Sequence, residues 1–274
     1  MKTKRFLHKN LNCEYVLFGH GERILYAFHG FGQSATIWKV FETWLASQFT
    51  VYSFVDFFHG EHLFPENRLK GDPLKKTEIT ELYSAFAKEM GHEKISLMAY
   101  SSGARIALTL LESFDVVIDE VWLFAPDGIR RSFWNKVFCK YSWIQSLYLR
   151  ICENPTFFFI TVKRLRNLGL IERSFASFVL FSMRTKDKRL RVYNYWMTYR
   201  DIIPSIDLVA KNSIKRDVNV HFIFGDSDTV IPSEIAKTVL RDYEMKADLF
   251  LVSGGHDILV STNQAALKHR FGEK

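Results

Sequence analysis

The sequence predicts an α/β fold: a mostly parallel central sheet flanked by helices, with a helical segment inserted in the second half of the chain. Three observations predict it. Short apolar runs alternate with stretches of helical spacing on both sides of residues 128–214. Residues 128–214 themselves have helical periodicity and no run that would obviously join a sheet. A serine, Ser101, stands where one apolar run gives way to a helical stretch that opens with small residues.

The elements follow in order. Residues 23–28 (RILYAF) form a short apolar strand stopped by His29-Gly30. Residues 36–46 place Ile37, Val40, Phe41, Trp44 and Leu45 on one helical face, and 49–55 read as a buried strand. A helix over 78–90 repeats its apolar positions at Leu82, Phe86 and Met90. Residues 94–99 (KISLMA) are a strand, 102–111 a helix packed on both sides, and 120–124 a strand closed by the turn Ala125-Pro126-Asp127-Gly128. After the insertion the alternation resumes: strand 218–224, helix 233–240, strand 247–252 and a terminal helix over 259–271. Strands that alternate with helices in this way need crossover connections, hence a parallel sheet covered on both faces. The expected division is a core of 1–127 and 215–274 around a helical cap of 128–214.

Composition sets the limits. The chain has 274 residues, 47% hydrophobic and 24% charged, which excludes a disordered or collagen-like polymer. No run approaches the ~18–20 apolar residues of a membrane span, and the basic N-terminus lacks the apolar core of a secretory signal. Three cysteines, Cys13, Cys139 and Cys152, contain no C-x-x-C pair, so neither a disulfide framework nor a zinc site is expected. A cytoplasmic location is the expectation.

The net charge is +7, and its distribution is uneven. Residues 130–200 hold 15 Lys and Arg against only Glu153, Glu172 and Asp187, so the remainder of the chain is net acidic. The same stretch holds 16 of the 42 aromatic residues, Trp134, Trp143, Phe157 and Trp196 among them. Lys163, Arg164, Arg166 and the run Arg184, Lys186, Lys188, Arg189, Arg191 form either a solvated helix face or a surface that meets something acidic. An acidic acyl-carrier protein and an anionic membrane surface are the two partners considered. No nucleic-acid-binding motif accompanies the charge.

The chemistry centres on Ala99-Tyr100-Ser101-Ser102-Gly103. A serine on a sharp turn between strand and helix needs small neighbours two positions either side, so that the two elements can pass closely. Such a serine is a poor nucleophile without a base, and the base needs a carboxylate to orient it. Asp228, in Gly225-Asp226-Ser227-Asp228, follows one predicted strand; His256, in Gly254-Gly255-His256, follows the last. Other readings of the acid are Asp226, two residues earlier, and Asp127, which also ends a strand. Ser101 alone also reads as an ordinary helix N-cap.

The order Ser101, Asp228, His256, each after a strand, resembles the α/β-hydrolase superfamily over nearly the whole chain. That resemblance implies an α/β-hydrolase fold, and Gly-x-x-Asp from Gly225 then selects Asp228. His29-Gly30-Phe31-Gly32-Gln33-Ser34, with Trp38 just beyond, resembles the oxyanion loop, so the backbone N–H groups of Phe31 and Ser102 would form the oxyanion hole. Trp38, Tyr100 and Trp134 are the residues expected to line the substrate. His29 is expected to pack beneath the loop. The stretch HGFGQSATIWKVFETWLASQFTVYSF further resembles the pimeloyl-carrier methyl ester esterases of biotin synthesis.

Two departures stand out. Ala99 replaces the usual glycine, and Asp56-Phe57-Phe58-His59-Gly60-Glu61-His62 lacks the proline and final serine of the family's turn, so His59 and His62 read as loop residues. The function implied is hydrolysis of a carboxylic ester or thioester of an apolar acyl substrate through an acyl-enzyme, without cofactor or metal. The same residues also suit C–C bond, lactone or amide hydrolysis, lyase chemistry, or a ligand-binding member without catalysis.

Overall fold

A computed structural model describes residues 3–61, 64–68, 71–130, 133–171, 173–245, 247–260 and 263–271. Its eight strands are β1 (Lys4–His8), β2 (Leu11–Phe18), β3 (Arg23–Phe28), β4 (Phe49–Val55), β5 (Lys94–Tyr100), β6 (Val117–Phe124), β7 (Asn219–Gly225) and β8 (Ala247–Val252). They form one sheet in the order β1-β2-β4-β3-β5-β6-β7-β8. The pairs from β4 to β8 across the sheet are parallel, and the β1–β2 and β2–β4 pairs are antiparallel.

The parallel strands inside the sheet are almost continuously apolar because both faces are covered, whereas β8 at its edge buries only Val252. In β5 every residue after Lys94 is buried. Trp38, Phe41, Phe49, Trp122 and Phe124 fill one side of the sheet. On the other, Phe54 and Phe86 pack with their ring centroids 5.2 Å apart.

The helices are α1 (Glu42–Gln48), α2 (Lys76–Met90), α3 (Ala104–Ser113), α4 (Phe133–Lys140), α5 (Ser142–Glu153), α6 (Thr156–Asn167), α7 (Arg173–Ser182), α8 (Lys186–Thr198), α9 (Ile206–Lys215), α10 (Glu234–Asp242) and α11 (Gln264–Phe271). The chain divides into two compact units. One comprises Met1–Pro65, Leu74–Arg130 and Ile202–Lys274; the other comprises Glu66–Pro73 and Arg131–Asp201.

The second unit starts and ends inside the 128–214 limits read from the sequence and adds a short segment from earlier in the chain. Helix α9 belongs with the sheet because it packs on α3: Asn212 Nδ2 donates to Glu112 O at 2.5 Å, and the Ser205 amide donates to Glu112 Oε2 at 2.9 Å. Within the second unit, buried Arg189 gathers loose helix ends. Its Nε and Nη2 donate to Cys152 O at 3.0 and 2.9 Å, and its Nη1 donates to Met183 O at 2.8 Å. Phe138 meets Trp196 edge to face at 5.1 Å.

Two local differences from the sequence reading have physical causes. The single helix expected over 36–46 is a 3-10 helix, Ala35–Phe41, followed by α1. Carbonyls that an α-helical ladder would use are taken elsewhere: Ser53 Oγ donates to Ala35 O at 2.6 Å, and Gln264 Nε2 donates to Val40 O. The β1–β2 hairpin was not foreseen. β1 is a short basic edge strand with one buried residue, Phe6, so it carries little apolar signal.

Candidate active site

The turn after β5 carries Ser101 with φ +49°, a left-handed backbone that costs a non-glycine residue of order 1 kcal/mol or more. The surroundings hold it there. Its carbonyl accepts the Asp127 amide at 2.9 Å, from the loop after β6. Two positions on, a Cβ at Gly103 would stand 2.5 Å from His29 O and 2.6 Å from Phe28 O, so β3 and the start of α3 touch backbone to backbone. The space at Gly103 is what lets the serine project beyond the end of the sheet.

Ser101 Oγ lies 2.9 Å from His256 Nε2, and His256 Nδ1 lies 2.8 Å from Asp228 Oδ2. The carboxylate only accepts, so Nδ1 carries the hydrogen and Nε2 presents its lone pair to the serine hydroxyl. Asp228 is buried, and its Oδ1 accepts the Val230 and Ile231 amides at 2.8 and 2.9 Å. Those amides fix the carboxylate with Oδ2 turned to the histidine.

The two loops that bring Asp228 and His256 together are docked on each other. Asp226 Oδ1 accepts the Gly254 amide at 3.0 Å, and the Ser227 amide donates to Gly254 O at 3.0 Å. A Cβ at Gly225 would stand 2.1 Å from Gly255 O, so this approach needs glycine. Asp226 therefore orients the histidine loop rather than the imidazole. Asp127 points elsewhere: its Oδ2 accepts from Arg105 Nε and its Oδ1 from the Gly128 amide, both at 2.8 Å.

The loop after β3 is held from beneath by His29, fully buried. Its Nε2 accepts the Asp56 amide at 3.2 Å, so its Nδ1 donates to Gly30 O at 2.8 Å. The Phe31 amide donates to Ser102 Oγ at 2.7 Å, so this amide, expected to face an oxyanion, is engaged by the neighbouring hydroxyl. The Gly32 amide donates to His59 Nε2 at 2.8 Å. His59 Nδ1 donates to Phe57 O at 3.1 Å, and the ring stands edge-on to Phe31 at 5.2 Å. His59, read from the sequence as a loop residue, is thus a second support of this loop. Only its position one strand away, after β4, hinted at that.

Of the three residues expected to line a substrate, the side chains of two, Trp38 and Tyr100, are described. Trp38 is a core residue, 0% exposed and edge-on to Phe124 at 5.7 Å, and presents no surface to a ligand. Tyr100 is also buried, with its Oη donating to His256 O at 3.0 Å and its ring 5.5 Å from the imidazole. Burial, and then the nearby carboxyls of Asp257 and Asp228, push the Tyr100 phenol well above its ordinary pKa, so it stays a donor. It holds the histidine loop. The Trp134 side chain, on α4, and His62 lie outside the described residues.

No protein-family model and no curated protein matches the sequence. Solved structures do match. A thermophilic esterase from Thermogutta terrifontis superposes with a TM-score of 0.69 at 16% identity, covering 98% of this chain and 97% of its own. An alpha/beta hydrolase enzyme from a Medee basin deep-sea metagenome library gives 0.69 at 16%, covering 99% and 98%. The thioesterase domain from the curacin biosynthetic pathway gives 0.64 at 15%, covering 98% of each chain. At such identities the likeness shows the fold: the chain has the α/β-hydrolase fold.

Proposed function

We propose that this chain, built on the α/β-hydrolase fold, is a serine hydrolase that cleaves a carboxylic ester or thioester of an apolar acyl substrate through an acyl-enzyme. The observation that carries the reading is the hydrogen-bond chain Asp228–His256–Ser101, 2.8 and 2.9 Å in its two links, at the C-terminal ends of β7, β8 and β5.

Ser101 Oγ attacks the acyl carbon as His256 Nε2 takes its proton, and Asp228 stabilises the imidazolium. Collapse of the tetrahedral intermediate breaks the bond to the alcohol or thiol, which leaves with the proton from Nε2. Water then repeats the sequence: His256 takes its proton, the acid departs, and Ser101 recovers its hydrogen. A positioned base of this kind contributes ~10² to 10⁴. The Phe31 and Ser102 amides are the proposed oxyanion donors, each worth ~10² to 10³ in rate. The named activities of two structural neighbours, an esterase and a thioesterase domain, support the bond type.

The test is intact mass after incubation with a broad fluorophosphonate. Wild type is expected to gain one adduct, Ser101→Ala none, and Asp228→Asn to label far more slowly. A folded wild type that takes up no label would sink the mechanism. Hydrolysis of short, medium and long acyl esters and thioesters then orders the substrates.

A further inference from the structure

Helices α5 and α6, both in the second unit, leave a face open that its own core does not use. On α5, Trp143, Leu147 and Arg150 share one stripe, at 65% and 49% exposure for the two apolar residues. On α6, Phe157, Ile160 and Arg164 share another, with Phe157 81% exposed, and Leu168 continues it at 72%. Leu147, Arg150, Phe157 and Ile160 line a shallow groove between the two helices. The buried side of α6 is elsewhere, around Val162.

Apolar surface this contiguous is uncommon unless something covers it. The charge says what. Arg150, Lys163 and Arg164 are exposed, and among the described residues none is in an ion pair. Glu153, the acidic residue within these two helices, is already held by Lys186 at 2.7 Å. A second copy meeting this face with its own would bring like charges together. An acidic protein surface would match the cations but not a solvent-facing Phe157, Trp143 and Leu168. An anionic bilayer supplies both layers at once, phosphate outside and acyl chains beneath.

We propose that the α5–α6 face docks on an anionic membrane surface. Trp143, Leu147, Phe157 and Ile160 enter the headgroup–acyl boundary, and Arg150, Lys163 and Arg164 meet the lipid phosphates. This is peripheral attachment, since among the described residues no helix is long and apolar enough to cross a membrane. The proposal goes beyond the hydrolase reading and does not depend on it.

Co-sedimentation of the full chain with sucrose-loaded vesicles tests it, using phosphatidylcholine alone and phosphatidylcholine mixed with phosphatidylglycerol. Wild type and Ser101→Ala are both expected to pellet with the anionic vesicles and to release as salt is raised. Each cation removed in the Lys163→Gln and Arg164→Gln variants is expected to weaken binding about fivefold. Trp143→Ser with Phe157→Ser is expected to lose binding while keeping its melting temperature, because both side chains face solvent. Failure of the wild type to pellet at low salt overturns the proposal, as does unchanged binding by these variants. It is equally overturned if the apolar variant turns a dimer into a monomer, or if an acidic acyl-carrier protein, and no vesicle, binds this face.

Discussion

The amide of Phe31 donates to the hydroxyl of Ser102 at 2.7 Å, so a proposed oxyanion donor is satisfied before any substrate arrives. In the proposed mechanism an incoming oxyanion takes that hydrogen from Ser102 Oγ. Ser102→Ala removes the competitor, and a neutral hydrogen bond has a net worth of about 0.5–1.5 kcal/mol. The second-order rate of fluorophosphonate labelling is expected to rise between about twofold and tenfold. A tenfold fall would instead make the Ser102 hydroxyl a donor to the transition state.

His59 holds the next amide along, that of Gly32. His59→Leu leaves that N–H without its acceptor and loosens the Phe31 loop. We expect kcat to fall about twofold to tenfold with little change in KM, since water replaces the lost acceptor at this exposed amide and the bond has a net worth of about 0.5–1.5 kcal/mol. His59→Gln, which offers an amide oxygen at similar reach, is expected to recover most of the loss. Equal loss in both variants would point to packing against Phe31 rather than to the hydrogen bond.

Tyr100 holds the proposed base, His256, through the backbone, donating to His256 O at 3.0 Å. Tyr100→Phe keeps the ring beside the imidazole and deletes only this bond. Turnover is expected to drop about threefold to tenfold with the melting temperature little changed. A pH–rate profile of unaltered shape alongside that drop would separate positioning from a change in the base itself.

His92 links stability to pH. It lies 2.9 Å from Tyr26 Oη and 4.8 Å, ring to ring, from Tyr52, and burial holds its pKa below the ordinary histidine value. The unfolded chain therefore binds the proton more readily than the folded one, so stability is full above the unfolded pKa and declines as pH falls through the folded one. Thermal unfolding between pH 8 and about 5 should show this decline, with a smaller slope in His92→Gln. Parallel curves for the two proteins would count against it.

The regular part of the fold was legible because it is written in periodicity. The runs 23–28, 49–55 and 247–252 coincide with β3, β4 and β8; β3 and β4 lie inside the sheet and bury most of their apolar run, while β8, at the sheet edge, keeps an apolar sequence although only Val252 is buried. Strand β1 left almost none, with one buried side chain in KRFLH, although its partner β2 is buried over most of its length. Around the site, residue order pointed to Ser101, Asp228 and His256, but which of Asp127, Asp226 and Asp228 faces the imidazole depends on loop docking. Arg105 takes Asp127, and the Gly254 amide takes Asp226. The burial of Trp38 is hidden for a related reason: the 3-10 turn that carries it packs it into the core. His59 was opaque because its partner, Gly32, belongs to a different strand's loop.

The spacing of the Ser101–His256 pair along the chain sets when the proposed activity can begin. The two are 155 residues apart, and the histidine follows β8, the last in chain order of the sheet's eight strands among the described residues. Closing so distant a contact is slow and unrewarded until the sheet is complete. A nascent or truncated chain that ends before β8 holds a serine with no base. Labelling of Ser101 during refolding therefore serves as a clock for the final step of assembly, lagging any signal from helices alone.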